Sequence, residues 1–265
     1  MMANAKKDNL KRFGFGFERG GVHSSRTMML EDLKLLLSYV GDSHAGKNDY
    51  FHAIEHDNCL GKRSGKTRKL TARHLAALYT LDPSVTLYRA LLYFWEKDPE
   101  AQPLLALLCA YARDSILRSS ASFIHAFSEG QVINREDLEK LIESREPGRF
   151  SKATLKSTAQ NINSTWTKSG HLRGRSKKIR LRAKATPGAA AYALLQGYLT
   201  GVRGESLFSS EYVELLDCSI DRTIELAETA SRRGWLVFKR VGSVIEVLFP
   251  NLITAEELEW IREQN

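Results

Sequence analysis

"SKATLKSTAQNINSTWTKSGHLRGRSKKIRLRAK", residues 151–184, joins a helix with clear ends to a strongly cationic hairpin. Ser151 suits the helix start, because its oxygen accepts from free first-turn N–H groups. Gly170 suits the stop, because glycine takes the left-handed conformation there at no steric cost. Between them Leu155, Ala159, Ile162 and Trp166 recur at i, i+4, i+7 and i+11, one buried stripe. The opposite face carries Ala153, Ser157, Gln160, Ser164 and Lys168, with Asn161 at its margin. After Gly170, Leu172, Ile179 and Leu181 sit among charges at the two-residue period of half-buried strands. This pattern predicts a hairpin with "RGRSK" at its tip, Leu172, Ile179 and Leu181 toward the core, and Lys178, Arg180 and Arg182 outward.

Two further helices precede this unit. "SASFIHAFSEG" (120–130) ends at Gly130, and "NREDLEKLIESREPG" (134–148) runs from an Asn134 cap to Pro147-Gly148. Three helices followed by a hairpin is the order of a winged helix-turn-helix.

The charge of this region is one-sided. Seven of residues 170–184 are Lys or Arg: Arg173, Arg175, Lys177, Lys178, Arg180, Arg182 and Lys184. His171 adds to them only if protonated. From Pro147 to Gly204 there are twelve Lys/Arg and no Asp or Glu, whereas the whole chain has a net charge of +8. The remainder is therefore net −4, and one segment carries the basic excess, as a surface facing a polyanion requires. Duplex DNA is the favoured partner, because the exposed helix face is small and polar and suits a major groove. Single-strand binders present aromatic platforms, which the wing lacks. The candidate contacts are Lys152, Lys156, Ser157, Gln160, Asn161, Ser164 and Lys168 on the helix. On the wing they are Arg173, Arg175, Lys177, Lys178, Arg180 and Arg182. The plainer alternative is a protein-contact module with solubilising charge, although solubility alone produces surfaces of mixed sign.

Around this centre, 265 residues with 43 % hydrophobic and 26 % charged content allow two or three domains with packed cores. Residues 1–26, with "RFGFGFERGG", read as a basic flexible arm. Residues 27–118 read as a multi-helix N-terminal domain, with helices at 27–40, 47–58, after "GKRSGKT", and around 84–96 and 102–117. The basic winged-helix-like domain spans 119–204, and 205–265 form a helix-hairpin domain. In that last unit helices at 210–217 and 219–234 precede strands "WLVFKR" and "VIEVLF" about the turn "VGS" (241–243), and 254–265 form a terminal helix. Its Glu225, Glu228 and Glu246 make it far less basic, suited to protein contact or to packing. The fold expected is mainly α, with short β-hairpins. "PGAAAYALLQGYLTG" (187–201) is too short to cross a bilayer and reads as a buried helix. Three scattered cysteines, Cys59, Cys109 and Cys218, make no disulfide framework and suit a reducing cytoplasm.

Two motifs suggest chemistry that their context does not support. "HAIEH" (His52, Glu55, His56) matches a zinc-protease pattern but has no evident third ligand or apolar cleft. "GKRSGKT" (61–67) is one residue short of a phosphate-binding loop and follows no apolar strand. It reads better as a basic helix start capped by Ser64 or Thr67. Lys62, Arg63, Lys66, Arg68 and Lys69 then lie either near a DNA backbone or on plain solvated surface. No catalytic set, metal site or cofactor motif is recognisable, so no enzyme is expected.

"NCLGKRSGKTRKLTARHL" with the paired apolar helices after it, "FSKATLKSTAQNINSTWTKSGHL", "AYALLQGYLTG" and "EYVELLDCSIDRTIELAETASRRGWL…VIEVLFP" carry a resemblance over about residues 27–250. The chain resembles the BrxA family, the small non-enzymatic component of BREX bacteriophage-defence systems. That resemblance implies a mostly helical, cytoplasmic bacterial DNA-binding protein working beside a DNA methyltransferase, an ATPase and other defence components. A DNA-binding accessory factor is thus the expected function, with a protein-interaction scaffold or an RNA-binding protein as alternatives.

Overall fold

The computed structural model describes residues 2–42, 44–242 and 244–262, and it is mainly helical with two small antiparallel sheets. Helix α1 (Met2–Arg12) leads into Phe13 and Phe15, both buried. The residues between and after them are glycines for a steric reason. Gly16 N–H donates to the Ala112 carbonyl at 3.0 Å, and a side chain on Gly16 would collide with the carbonyl of Arg113. Residues 1–26, expected to be a flexible arm, are therefore corrected where described: their aromatic rings belong to the core. Helices α2 (Leu30–Val40), α3 (Lys47–Glu55), α4 (Gly65–Tyr79) and α5 (Thr86–Lys97) follow as expected. The single helix expected at 102–117 is two, α6 (Gln102–Arg113) and α7 (Ser115–His125). Asp114 breaks them by capping α7, its Oδ1 accepting from the N–H groups of Ile116 and Leu117 at 3.0 Å. Because α7 begins at Ser115, the boundary expected between residues 118 and 119 falls inside a helix.

The central unit continues with β1 (Val132–Ile133), α8 (Arg135–Arg145), α9 (Lys152–Lys168), β2 (Leu172–Arg173) and β3 (Lys178–Arg180). The three strands form one antiparallel sheet in the order β1-β3-β2. Helix α9 has the expected ends: the Ser151 hydroxyl accepts from Thr154 N–H at 3.2 Å, and Gly170 has φ 88°. Ala159, Ile162 and Trp166 are fully buried, and Trp166 Nε1–H donates to the Ser120 hydroxyl of α7 at 2.9 Å. Strand β1 was not anticipated, since two residues display no period.

Helix α10 (Pro187–Leu199) is buried at every position from Gly188 to Leu199 and packs against α5 and α6. It therefore shares the core of the N-terminal helices. α11 (Glu211–Glu214) and α12 (Ile220–Arg232), capped by Ser219, also pack on α10. They lead to the antiparallel pair β4 (Val237–Val241) and β5 (Val244–Leu248); Ser243 of the expected turn lies outside the described residues. Helix α13 (Ala255–Arg262) returns to the start of the chain. Its Glu257 accepts from Arg89 at 2.7 and 2.8 Å, and Trp260 packs on Phe13 with ring centroids 5.7 Å apart. Residues 263–265 of the expected terminal helix lie outside the described residues. No helix among the described residues is long and apolar enough to cross a membrane.

Candidate nucleic-acid interface

Helix α9 presents Lys152, Lys156 and Gln160 to solvent, with Ser157, Asn161, Ser164 and Lys168 half-buried. Several of these groups already have protein partners. Ser157 donates to the Thr154 carbonyl at 3.0 Å. Asn161 donates to the His23 carbonyl at 3.1 Å, and Lys168 to the Thr27 hydroxyl at 3.3 Å. Both bind the N-terminal segment, which runs alongside α9 and is locked there by buried hydrogen bonds. Asp114 Oδ2 lies 2.8 Å from His23 Nδ1, and His23 Nε2 lies 2.9 Å from the Thr165 hydroxyl, which also accepts from Met28 N–H at 2.9 Å. Asp, His and Thr in this order imitate an acid, base and nucleophile. All three are buried, and the hydroxyl is engaged on both sides, so the set acts as a buckle between segments. Burial raises the Asp114 pKa, but the His23 charge and the hydrogen bonds from His23 and Leu117 outweigh it and hold the carboxyl below its ordinary value.

The hairpin departs from expectation at its centre. Leu172 pairs directly with Arg180, so both point to the same face of the sheet, and that face is the core. Arg180 is 3 % exposed, and its guanidinium grips Asp217 through two hydrogen bonds of 2.7 and 2.8 Å, with a third bond of 3.2 Å to the Ile124 carbonyl. Arg180 is thus removed from the DNA-contacting set: a buried counter-ion, not an apolar neighbour, occupies the core side of β3. Ile179 and Leu181, expected in the core, are only half-buried. His171 contributes no charge either. Burial pushes its pKa down to about 3, its Nε2 lies 3.0 Å from the Leu215 carbonyl, and its Nδ1 lies 2.9 Å from the Ser169 hydroxyl.

Arg173, Arg175 and Lys177 remain exposed at the tip, with no ion-pair partner among the described residues. Lys178 folds back onto the Thr167 hydroxyl at 2.9 Å and the Gly174 carbonyl at 2.6 Å, and burial lowers its pKa. Arg182 is exposed, 3.6 Å from Glu129. Between tip and helix lies an open groove of about 780 Å³, lined by Gln160, Asn163 and Ser164 of α9, Arg175 and Lys177 of the tip, and Asn134 and Arg135 at the start of α8. Asn163 is a candidate groove residue that sequence reasoning missed. It is 4 % exposed, yet its Oδ1 has no hydrogen-bond partner among the described residues, an arrangement suited to a donor arriving through the groove.

Comparison with family models and with curated proteins gives no match. The chain's own geometry therefore carries the functional argument.

The basic start of α4 forms a second surface. Ser64 caps it, accepting from Thr67 N–H at 3.2 Å. Arg63, Lys66 and Lys69 are exposed. Lys62 is paired with Asp32 at 2.7 Å, and half-buried Arg68 donates to the His56 carbonyl at 3.3 Å. Beside α9 a small cleft is lined by Arg26, Asn161 and Lys168, where Glu31 and Asp32, the latter the partner of Lys62, interrupt the positive field. The "HAIEH" histidines stack with ring centroids 4.8 Å apart, and His52 lies 3.3 Å from Asp57. Among the described residues, no three His, Cys, Asp or Glu side chains gather as a metal site.

Proposed function

We propose that the chain binds duplex DNA through a winged helix-turn-helix spanning residues 115–182, with α9 as the recognition helix and the β2–β3 tip as the wing. The helix-strand-helix-helix-strand-strand order and the β1-β3-β2 sheet support this reading. One observation carries it: Arg173, Arg175 and Lys177 project without acidic partners, among the described residues, beside the polar face of α9. Lys152, Lys156 and Arg182 extend the phosphate contacts, while Gln160, Ser164 and Asn163 offer hydrogen bonds to base edges. Such side chains discriminate weakly when they act singly, so sequence preference is small and affinity comes mainly from phosphate. The role is that of a non-enzymatic, cytoplasmic accessory factor. The BrxA-like motifs support placing it in a BREX-type phage-defence system, beside a methyltransferase and an ATPase. A protein-scaffold role has its own support at the far hairpin, where Val241 and Val244 are 80 % and 70 % exposed.

Fluorescence anisotropy against duplex, single-stranded DNA and RNA of one sequence separates these readings. Five or six phosphate contacts give a slope near −5 in log K against log salt, about a thousandfold loss between 50 and 200 mM. Duplex binding with that slope is expected. No duplex binding at 50 mM salt leaves the scaffold, and stronger RNA binding replaces the DNA reading.

A further inference from the structure

We infer that Arg19, Arg145 and Arg149 form a second phosphate-binding cluster, which holds the DNA backbone at the end of α9 opposite the wing. The inference rests on the duplex-DNA reading and adds a part of the footprint that charge runs in the sequence do not reveal. The three arginines come from two segments, Arg19 from the N-terminal stretch and Arg145 and Arg149 from the end of α8 and the turn after it, and line one open cavity of about 500 Å³. Among the described residues Glu146 is the only acid lining it and is already paired with Arg149, so the cavity keeps two net positive charges. Arg19 and Arg145 have no ion-pair partner among the described residues. Convergent guanidinium groups of this kind match phosphate oxygens, which accept two parallel N–H bonds from one fork.

The position of the cluster argues for a nucleic-acid backbone over a free anion. Arg149 stands two residues before the Ser151 cap, at the positive end of the α9 dipole. Arg19 reaches it because the N-terminal segment is strapped along α9, with Gly20 against the Arg149 guanidinium at one end and Thr27 against Lys168 at the other. The 17 residues of α9 span about 25 Å. Cationic clusters thus bracket a middle stretch, Ser157 to Ser164, that carries no charge. Phosphates at both ends and base edges between them is the division of labour of a helix in a groove. A cation near a helix C-terminus explains Arg145 alone, but not the convergence of three.

The test compares two triple variants with the parent on one duplex across 50–200 mM salt: Arg19→Ala/Arg145→Ala/Arg149→Ala, and Arg173→Ala/Arg175→Ala/Lys177→Ala. Thermal melts verify that each is folded. The three added contacts steepen the parental salt slope from about −5 to between about −7 and −8, and loss of the cluster is expected to return it to about −5 and weaken binding at least about tenfold at 100 mM. A folded cluster variant with parental slope and affinity, beside a weakened wing variant, overturns the inference and leaves the DNA reading standing. Weaker binding with an unchanged slope also overturns it, because phosphate contacts were then not lost. A parent that binds no duplex ends both.

Discussion

Arg180→Met distinguishes a cation that holds the wing from one that touches DNA. The substitution removes the partner of Asp217, a carboxylate whose side chain is 13 % exposed and is left facing a buried position. Burial alone raises the pKa of that carboxyl, and the hydrogen bonds and charge of Arg180 do most to bring it below its ordinary value. Removing one partner of a buried pair typically costs about 3–5 kcal/mol. For a chain of this size each kcal/mol moves the melting temperature by about 2–4 °C, so a drop of about 6–20 °C is expected. Adding Asp217→Leu recovers much of the loss, because the double variant buries no lone charge. Calorimetry on the parent, both single variants and the double variant measures the coupling. Anisotropy well below each transition then shows near-parental DNA affinity for the double variant. An Arg180→Met protein that melts like the parent, yet loses salt-dependent binding as Arg173→Ala does, refutes the assignment of Arg180 to the core.

Acid destabilises this fold above the range where carboxylates titrate. The unfolded chain protonates His171 near its ordinary 6.5, whereas the folded chain resists until about pH 3. Stability is therefore lost as pH falls below about 6.5, by about 2 kcal/mol at pH 5, and His125 and His74, also lowered by burial, act in the same direction. Urea denaturation at pH 7 and pH 5 should show this loss, and His171→Gln should reduce it; equal losses in both proteins contradict the account. Shortening the chain to residues 27–265 removes two buried phenylalanines and costs at least about 3–6 kcal/mol by apolar burial alone. A shortened chain that melts at the parental temperature returns residues 1–26 to the status of an arm.

Local chemistry made α9 readable from sequence. Its cap, its stop and its Ala159-Ile162-Trp166 stripe all lie within twenty residues, and each acts through the backbone around it. Arg180 was unreadable for the opposite reason. Its counter-ion is 37 positions further on, and alternation alone assigns Leu181 inward and Arg180 outward. The same holds for "RFGFGFERGG", where Gly16 makes sense only against the end of α6 about a hundred residues later and Gly20 only against Arg149. Asn163 lies beside the buried stripe, and the groove that gives it meaning needs the wing tip, α8 and α9 together. The cluster at Arg19 joins segments more than a hundred residues apart, so no charge run announces it.

The return of α13 to the start of the chain has a consequence for biosynthesis. Asn9 donates to the Trp260 carbonyl at 3.2 Å across a separation of 251 residues. At about 5–20 residues per second, the first of these groups leaves the ribosome roughly 12–50 s before its partner is made. Through that interval Phe13 lacks Trp260, and through more than half of it His23 lacks Thr165, 142 residues downstream. Over those intervals the nascent chain carries Phe13 without Trp260 and His23 without Thr165, a suitable target for a holding chaperone, and the cationic surface of α9 and the hairpin cannot assemble until the central helices have emerged.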